Sequence, residues 1–294
     1  ATASALTTHA LLTRTTSWWS GYWSQSFVTL PVTRAESFYY SQMYRFPASD
    51  RVTLHGLMGA FGPTSNYNLW PDDVWDMNEQ VMYWIGAASN RPEITAPLSR
   101  WMEAGASRGN LWMAHNYVKQ MRFEGNHTGL VHVALPLITN LVRGIAGENA
   151  SSHGSLDGPD SNGTFHIIDC SSPEYKCYPP FQNRACSPKV DCNYEISQLR
   201  WGISTALAIA KSASASAAAT AATEEGGALA LALATAFEGI DTAWWKSLID
   251  GALAWYPFDD ATGFRLDEDC AFECPHRHFS HLLQMWDLET VQYD

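Results

Sequence analysis

The 294-residue sequence predicts an all-α chain of helical hairpins whose polar motifs gather in loops at one end. Three observations predict it. Apolar residues recur at helical spacing, as in Phe38, Tyr39, Tyr40 and Tyr44 and again in Ile196, Leu199, Ile203 and Leu207. No convincing strand alternation follows the first thirty or so residues, and the connecting loops hold every polar motif. The length is enough to bury a sizeable core and nothing forces a division, so one domain over 1–294 is expected.

Residues 14 to 31 carry Trp18, Trp19, Tyr22 and Trp23, then a short β-prone run closed by Pro31; they read as an aromatic edge leading into a helix over Arg34 to Phe46. Gly56, Gly59, Gly62 and Pro63 break the pattern without forming a phosphate-binding fingerprint. The next helix begins near Asp76 and Asn78, where capping alone would account for both residues. Asn90-Arg-Pro-Glu93 marks a second entry, with Pro92 in the first turn and Glu93 placed for a capping box. Helices follow from about Asn110 to Met121 and from Val131 to Gly144, separated by a polar turn. After the Gly/Ser/Asp-rich stretch 147 to 163 and a cysteine-bearing loop, helical spacing returns from Tyr194 to Ala210. Residues 212–236 are low-complexity Ala/Ser/Thr and read as two surface helical turns around a tolerated insertion. A helix from about Thr242 to Tyr256 precedes an acidic loop and a final Cys/His-rich run.

A net charge of -12 with 18 Lys plus Arg excludes phosphate-backbone binding, so no nucleic-acid partner is expected. The 13 Trp exceed what a core needs, and flat amphipathic rings line sugar-binding grooves, although core packing is the plainer account of any one of them. Six loop cysteines and three N-x-S/T sequons, at Asn126, Asn149 and Asn162, point to a secreted or extracellular setting. The sequence opens at Ala1 without a leader, so a signal peptide is expected to have been removed or to lie upstream. No stretch reads as a membrane span; even the Ala-rich run is interrupted by Lys211, Glu224 and Glu225.

The chemistry concentrates in two loops. His166-Ile-Ile-Asp-Cys-Ser-Ser-Pro-Glu-Tyr175 places Glu174 directly after a proline, on the rigid backbone that would mount a catalytic acid. Cys170, Cys177, Cys186 and Cys192 bracket it, although a disulfide-tied surface loop with its Glu facing water accounts for this stretch equally well. The second loop holds His276, His278 and His281 beside Cys270 and Cys274, enough ligands for zinc. Its spacing has neither paired C-x-x-C knuckles nor H-E-x-x-H, and oxidised cysteines bind no metal. A substrate-contacting or hydrogen-bonded structural cluster therefore ranks above a metal site, and no cofactor is expected. There is no G-x-S-x-G nucleophile elbow.

Four stretches, in order, resemble glycoside hydrolase family 95, the inverting α-L-fucosidases and their L-galactose-cleaving relatives among the six-hairpin glycosidases. They are Trp18 to Phe27; Trp75-Asp-Met-Asn-Glu-Gln-Val-Met-Tyr-Trp84; Ser172-Pro-Glu-Tyr175; and His276-Arg-His-Phe-Ser-His-Leu282. The resemblance implies an (α/α)6 toroid with a sugar site at one mouth, acting on fucose-containing oligosaccharides or polysaccharides. It makes Glu174 the general acid and Asn78 the residue that orients the attacking water, with His278 the foremost sugar contact and His276, Arg277, Trp75 and Trp84 around it. Asp76 stands where the family often has Asn, and a carboxylate there could serve as the base. The implied chemistry is inversion by one protonated and one ionised group, about 6.5–9.5 Å apart. The rival expectation is a sugar-binding glycoprotein of the same fold with impaired turnover.

A six-hairpin toroid needs about twelve helices. The sequence offers eight or nine and stops at Asp294 soon after the histidine motif, so an open or incomplete toroid is expected, with apolar helix faces exposed near both termini. The cysteines are expected to be oxidised, with at least one bridge inside 170–192 and Cys270 near Cys274 or reaching back to that loop. Thiol titration of the unfolded, unreduced protein should find none; six reactive thiols would remove both the bridges and the extracellular assignment.

Overall fold

Helices carry most of the chain in the computed structural model, which describes residues 7–49, 54, 77–105, 110–146, 154–175 and 186–291. Contacts divide the chain into two compact units, Ala1–Ala104 and Gly105–Asp294. Trp75, Asp76, Asn149 and Cys177 lie outside the described residues.

The first unit contains α1 (Thr8–Ser24), α2 (Thr33–Ser49), α3 (Asn78–Ala88) and α4 (Pro92–Glu103). The aromatic edge expected over 14–31 is instead mostly helix, begun by the Thr7 hydroxyl capping Ala10 N–H at 3.2 Å. Its aromatics sit on turns that meet α2: Trp19 stacks on Tyr44, and buried Tyr22 donates to Met43 O at 2.7 Å. Arg91, fully buried at the α3–α4 turn, donates to the carbonyls of Tyr22 and Ser26, and its guanidinium covers the Tyr22 ring at 4.3 Å. Burial raises the Tyr22 pKa against the pull of Arg91, so the phenol stays neutral. The capping box expected at Asn90–Glu93 does not form: Arg91 holds the cap position, and Glu93 accepts from Gln25 Nε2. Leu12, Phe27, Val32 and Phe38 are exposed.

In the second unit, α5 (Leu111–Glu124) starts at Asn110, whose Oδ1 accepts from Met113 N–H at 2.8 Å. One helix, α6 (His127–Ile145), follows with a π-helical stretch at Leu130–Ala134. By length and mean hydropathy (1.3) it could cross a membrane, where the sequence reading found no such stretch. Val131, Leu135, Ile138 and Val142 form its buried stripe, the pattern of a core helix.

The longest helix, α7 (Asn193–Ala219), runs beyond the expected Ala210, and α8 (Glu224–Ala236) packs back on it after a turn capped by Thr223. The low-complexity region is therefore a helical hairpin, exposed over most of its surface, not two isolated turns. Gly202 lets α7 approach its neighbours, since a Cβ there would lie 2.8 Å from Val142 and 3.0 Å from Leu111. The helix expected to reach Tyr256 is α9 (Thr242–Ser247) plus a π turn at Leu248–Ala252, broken at Gly251, whose φ of 142° lies outside helical space. Two small antiparallel pairs, β1 (Ser155–Asp157) with β2 (His166–Ile168) and β3 (Phe258–Asp259) with β4 (Gly263–Phe264), were not foreseen, each being too short to alternate. A 3₁₀ turn at Ser280–Leu282 leads into α10 (Leu283–Trp286). The architecture is mostly helical, as expected of an all-α chain.

Buried Asp287, after α10, locks the end of the unit to α5. Trp112 Nε1 donates to its Oδ2 at 2.5 Å, His115 Nδ1 lies 3.4 Å from the same oxygen, and Lys119 Nζ lies 3.3 Å from Oδ1. Burial works against the charge, but these partners outweigh it and hold the carboxyl down at about 2. Its contribution is present above the unfolded value near 3.8 and is lost as pH falls through about 2, about 2 kcal/mol in all. Asp287→Asn should cost about 3 kcal/mol at neutral pH and flatten this acid limb in urea unfolding. Matching pH profiles for parent and variant would show that the carboxylate carries no such role.

Candidate active site

Ser172, Pro173, Glu174 and Tyr175 form a β-turn closed by Tyr175 N–H to Ser172 O at 3.4 Å. Proline fixes the second position, and Glu174 occupies the third with φ of 50°, a place where type II turns use Gly or Asn. A β-carbon in that region costs about 1–2 kcal/mol, so surrounding contacts must impose it. They do. The Tyr175 hydroxyl accepts from Glu273 N–H (3.1 Å) and Cys274 N–H (3.2 Å) and donates to Ala271 O (3.3 Å), which buries its ring and leaves Glu174 outside. Leu266, Cys270, Cys274, Cys186 and Phe272 pack around that ring.

The histidine motif closes on the same turn. His278 Nδ1 donates to Pro173 O at 2.9 Å, and Ser280 Oγ lies 2.5 Å from Ser172 Oγ. Arg277 forms an ion pair with Glu174 Oε2. His276 Nδ1 accepts from His278 N–H at 3.2 Å, and its pKa is lowered by burial, then by neighbouring His278 and Arg277. His281 stacks on Phe272 at 4.2 Å, and burial pushes its pKa down to about 4, leaving a neutral ring. The bridges support the same geometry: Cys170–Cys192 staples the loop internally, Cys186–Cys270 joins it to the segment before the histidines, and Cys274 is disulfide-bonded as well. Both features expected of the bridging are present, and oxidised sulfurs of this kind fit a secreted protein. Among the described residues, no cluster of three or more His, Cys, Asp or Glu side chains could hold a metal ion.

Glu174, His276, Arg277 and His278 thus come together in the second unit. Of the two accounts that the sequence left open for Glu174, the side chain follows the one that faces water: it is 50% exposed and paired with a guanidinium. Asn78 and Trp84 lie on α3 in the first unit; Asn78 is the first helical residue, and Met77 takes the cap position without a side-chain cap bond, so Asn78 is not a cap. Of the sequons, Asn162 is exposed in the β1–β2 connection, while Asn126 is half-buried, its Oδ1 accepting from Gly129 N–H at 2.8 Å.

Two carboxylate features escaped the sequence reading. Glu195, in the first turn of α7, is buried and bonded by the Ser171 backbone; desolvation dominates and pushes its pKa up to about 7. Its one signal was position, four residues before Leu199 on an apolar stripe. Buried Asp191 accepts from Ile167 N–H at 2.8 Å and holds His166 Nδ1 at 2.6 Å, a pairing across the loop that spacing does not reveal.

No protein-family model matches the chain, and no curated protein matches it.

Because Glu195 keeps its proton when folded up to about pH 7 but releases it near 4.5 when unfolded, stability should fall by about 3 kcal/mol across that window as pH rises and then level off. Glu195→Gln keeps an acceptor for Ser171 and removes the titration. Its unfolding free energy should be flat over those pH values where the parent's declines; a shared slope would place the ionisation elsewhere.

Proposed function

We propose that this chain is a secreted glycosidase-type domain that removes terminal α-linked L-fucose, or L-galactose, from glycans with inversion of configuration. One observation carries the reading. The Ser-Pro-Glu turn and the His-Arg-His-x-Ser-His segment, apart in sequence, are held together by the His278–Pro173, Ser172–Ser280 and Arg277–Glu174 contacts, with Glu174 turned toward solvent where a sugar can reach it. Two loops that resemble one family's acid and sugar-contacting motifs have little structural reason to be bolted together around an exposed carboxyl.

In this reading Glu174 donates a proton to the departing glycosidic oxygen, and Arg277 positions it before the sugar arrives. His276, only partly buried, supplies hydrogen bonds to sugar hydroxyls; His278 is buried with its Nδ1 fixed on Pro173 O, and its Nε2, which has no partner among the described residues, reaches a sugar only if the loop above it opens. The same family resemblance assigns activation of the water to Asn78, or to Asp76 acting as a carboxylate base. A second reading is favoured by the ion pair itself. Arg277 already occupies the Glu174 carboxyl that a departing glycosidic oxygen would have to meet, which suits a domain that binds L-fucose and turns it over slowly, if at all.

An aryl α-L-fucoside assay separates the two. Glu174→Gln is expected to lose about 10²–10⁴-fold in kcat while still binding L-fucose, and parent-like turnover in that variant would remove Glu174 from the mechanism. A parent that binds L-fucose without releasing the aryl group selects the second reading. Asp76→Asn then assigns the base: lost turnover names Asp76, and unchanged turnover leaves Asn78.

A further inference from the structure

Chemistry-bearing side chains that this site does not use converge in the second unit on a groove of about 450 Å³ lined by Trp255, Tyr256, Phe258, His166, Arg265 and Glu268. That volume lies within the ~300–1,000 Å³ of small-molecule sites. Trp255 is 64% exposed and Phe258 55%, unusual for rings of this size. Neither the exposure nor the position of Trp255 is casual. The Arg200 guanidinium lies over its ring at 4.8 Å while donating to Leu253 O (3.0 Å) and Ala254 O (3.1 Å). On the other side of the chain, Phe165 pairs with the same segment through Phe165 N–H to Ala252 O (2.7 Å) and Ala254 N–H to Phe165 O (2.8 Å). The backbone that carries the indole is thus fixed from two directions, and the ring is left facing water.

The polar side of the groove is equally ordered. His166 has its Nδ1 fixed on Asp191, and its Nε2 makes a loose ion pair with Asp160 Oδ2 at 3.6 Å, long enough for a ligand hydroxyl to compete for the nitrogen. The Asp191 hydrogen bond, helped by Asp160, raises the His166 pKa, which favours a donating ring. Arg265 and Glu268 add a cation and an anion to the same rim.

We infer that this groove is a second carbohydrate-binding site, in which one pyranose ring of a neutral glycan stacks on Trp255 while its hydroxyls bond His166, Arg265 and Glu268. A pyranose has an apolar C–H face and a rim of hydroxyls that both donate and accept, and the groove offers a flat ring beside donors and an acceptor. A wholly apolar ligand would leave the charged rim unpaired. A phosphate would face Glu268 and Asp160 in a chain of net charge -12. The inference does not depend on fucosidase activity.

The test is an array of neutral oligosaccharides probed with the intact chain, followed by calorimetry with the strongest-binding glycan on Trp255→Ala, Glu268→Gln and Glu174→Gln. Trp255→Ala should weaken binding by about tenfold or more and Glu268→Gln severalfold, with Glu174→Gln within about twofold of the parent. Glu268 is exposed, so the thermal melt of Glu268→Gln should match the parent; Trp255→Ala gives up the Arg200 contact and should melt somewhat lower, so binding is compared at a temperature where every variant is folded. A parent that binds no neutral glycan, or binding that survives both groove substitutions, or binding lost only with Glu174, overturns the assignment. A parent that binds glycan in the groove but shows no fucoside turnover would count against the catalytic reading alone.

Discussion

The Tyr175 hydroxyl is the interaction on which the candidate active site depends. A buried phenol that accepts two backbone N–H groups and donates to a carbonyl is fully satisfied, and it fixes the chain on both of its flanks. With Tyr175 anchored, its neighbour Glu174 has no inward path, and the left-handed backbone at Glu174 becomes tolerable because Pro173 is itself held by His278. The Cys186–Cys270 bridge narrows the freedom of the same two segments in the unfolded chain as well. Removing any one of these restraints would leave the others holding a strained turn.

Behind the loops, α7 performs the complementary task. Its first turn faces the site and is polar yet buried: Asn193 Nδ2 donates to Arg265 O, Glu195 receives the Ser171 backbone, and Ser197 and Gln198 reach Gln284 and Trp112 N–H. Two turns on, Arg200 supports the Trp255 segment. One helix therefore supports both the Glu174 loop and the Trp255 groove. The apolar contacts that hold α7 against α5 and α6 belong to its middle, around Gly202.

Periodicity made the helices legible. The runs at Phe38–Tyr44 and Ile196–Leu207 are helical, and the starts at Asn110 and Pro92 follow cap and proline chemistry. Local propensity failed where partners lie far off. Trp18, Trp19, Tyr22 and Trp23 read as an aromatic edge ahead of a helix until α2 and buried Arg91 supply a surface for a helix of their own to face. Likewise, Gly251 ends a helix whose composition would continue it. Within the site, Glu174 and the histidines were visible as motifs, and so was the oxidised state of the cysteines. Glu174's pairing with Arg277 was not, and its exposure was left as one of two alternatives, because both follow from where Tyr175 is buried. Nor could spacing disclose Glu195 or the His166–Asp191 pair, whose meaning lies in burial and in contacts across a loop.

The length of α7 has a consequence for how this chain can change over generations. Beyond Ala213 the helix is exposed and returns through α8, so adding or deleting residues there lengthens or shortens a hairpin away from Asn193, Glu195 and Arg200. A single residue gained between Glu195 and Arg200 is another matter. It would rotate everything after it by about 100°, swinging Arg200 off the carbonyls it grips while Glu195 stays in place. The helix thus acts as an indexing rod: its free end is open to drift and repeat expansion, and its first two turns keep the Glu174 loop and the Trp255 groove in phase.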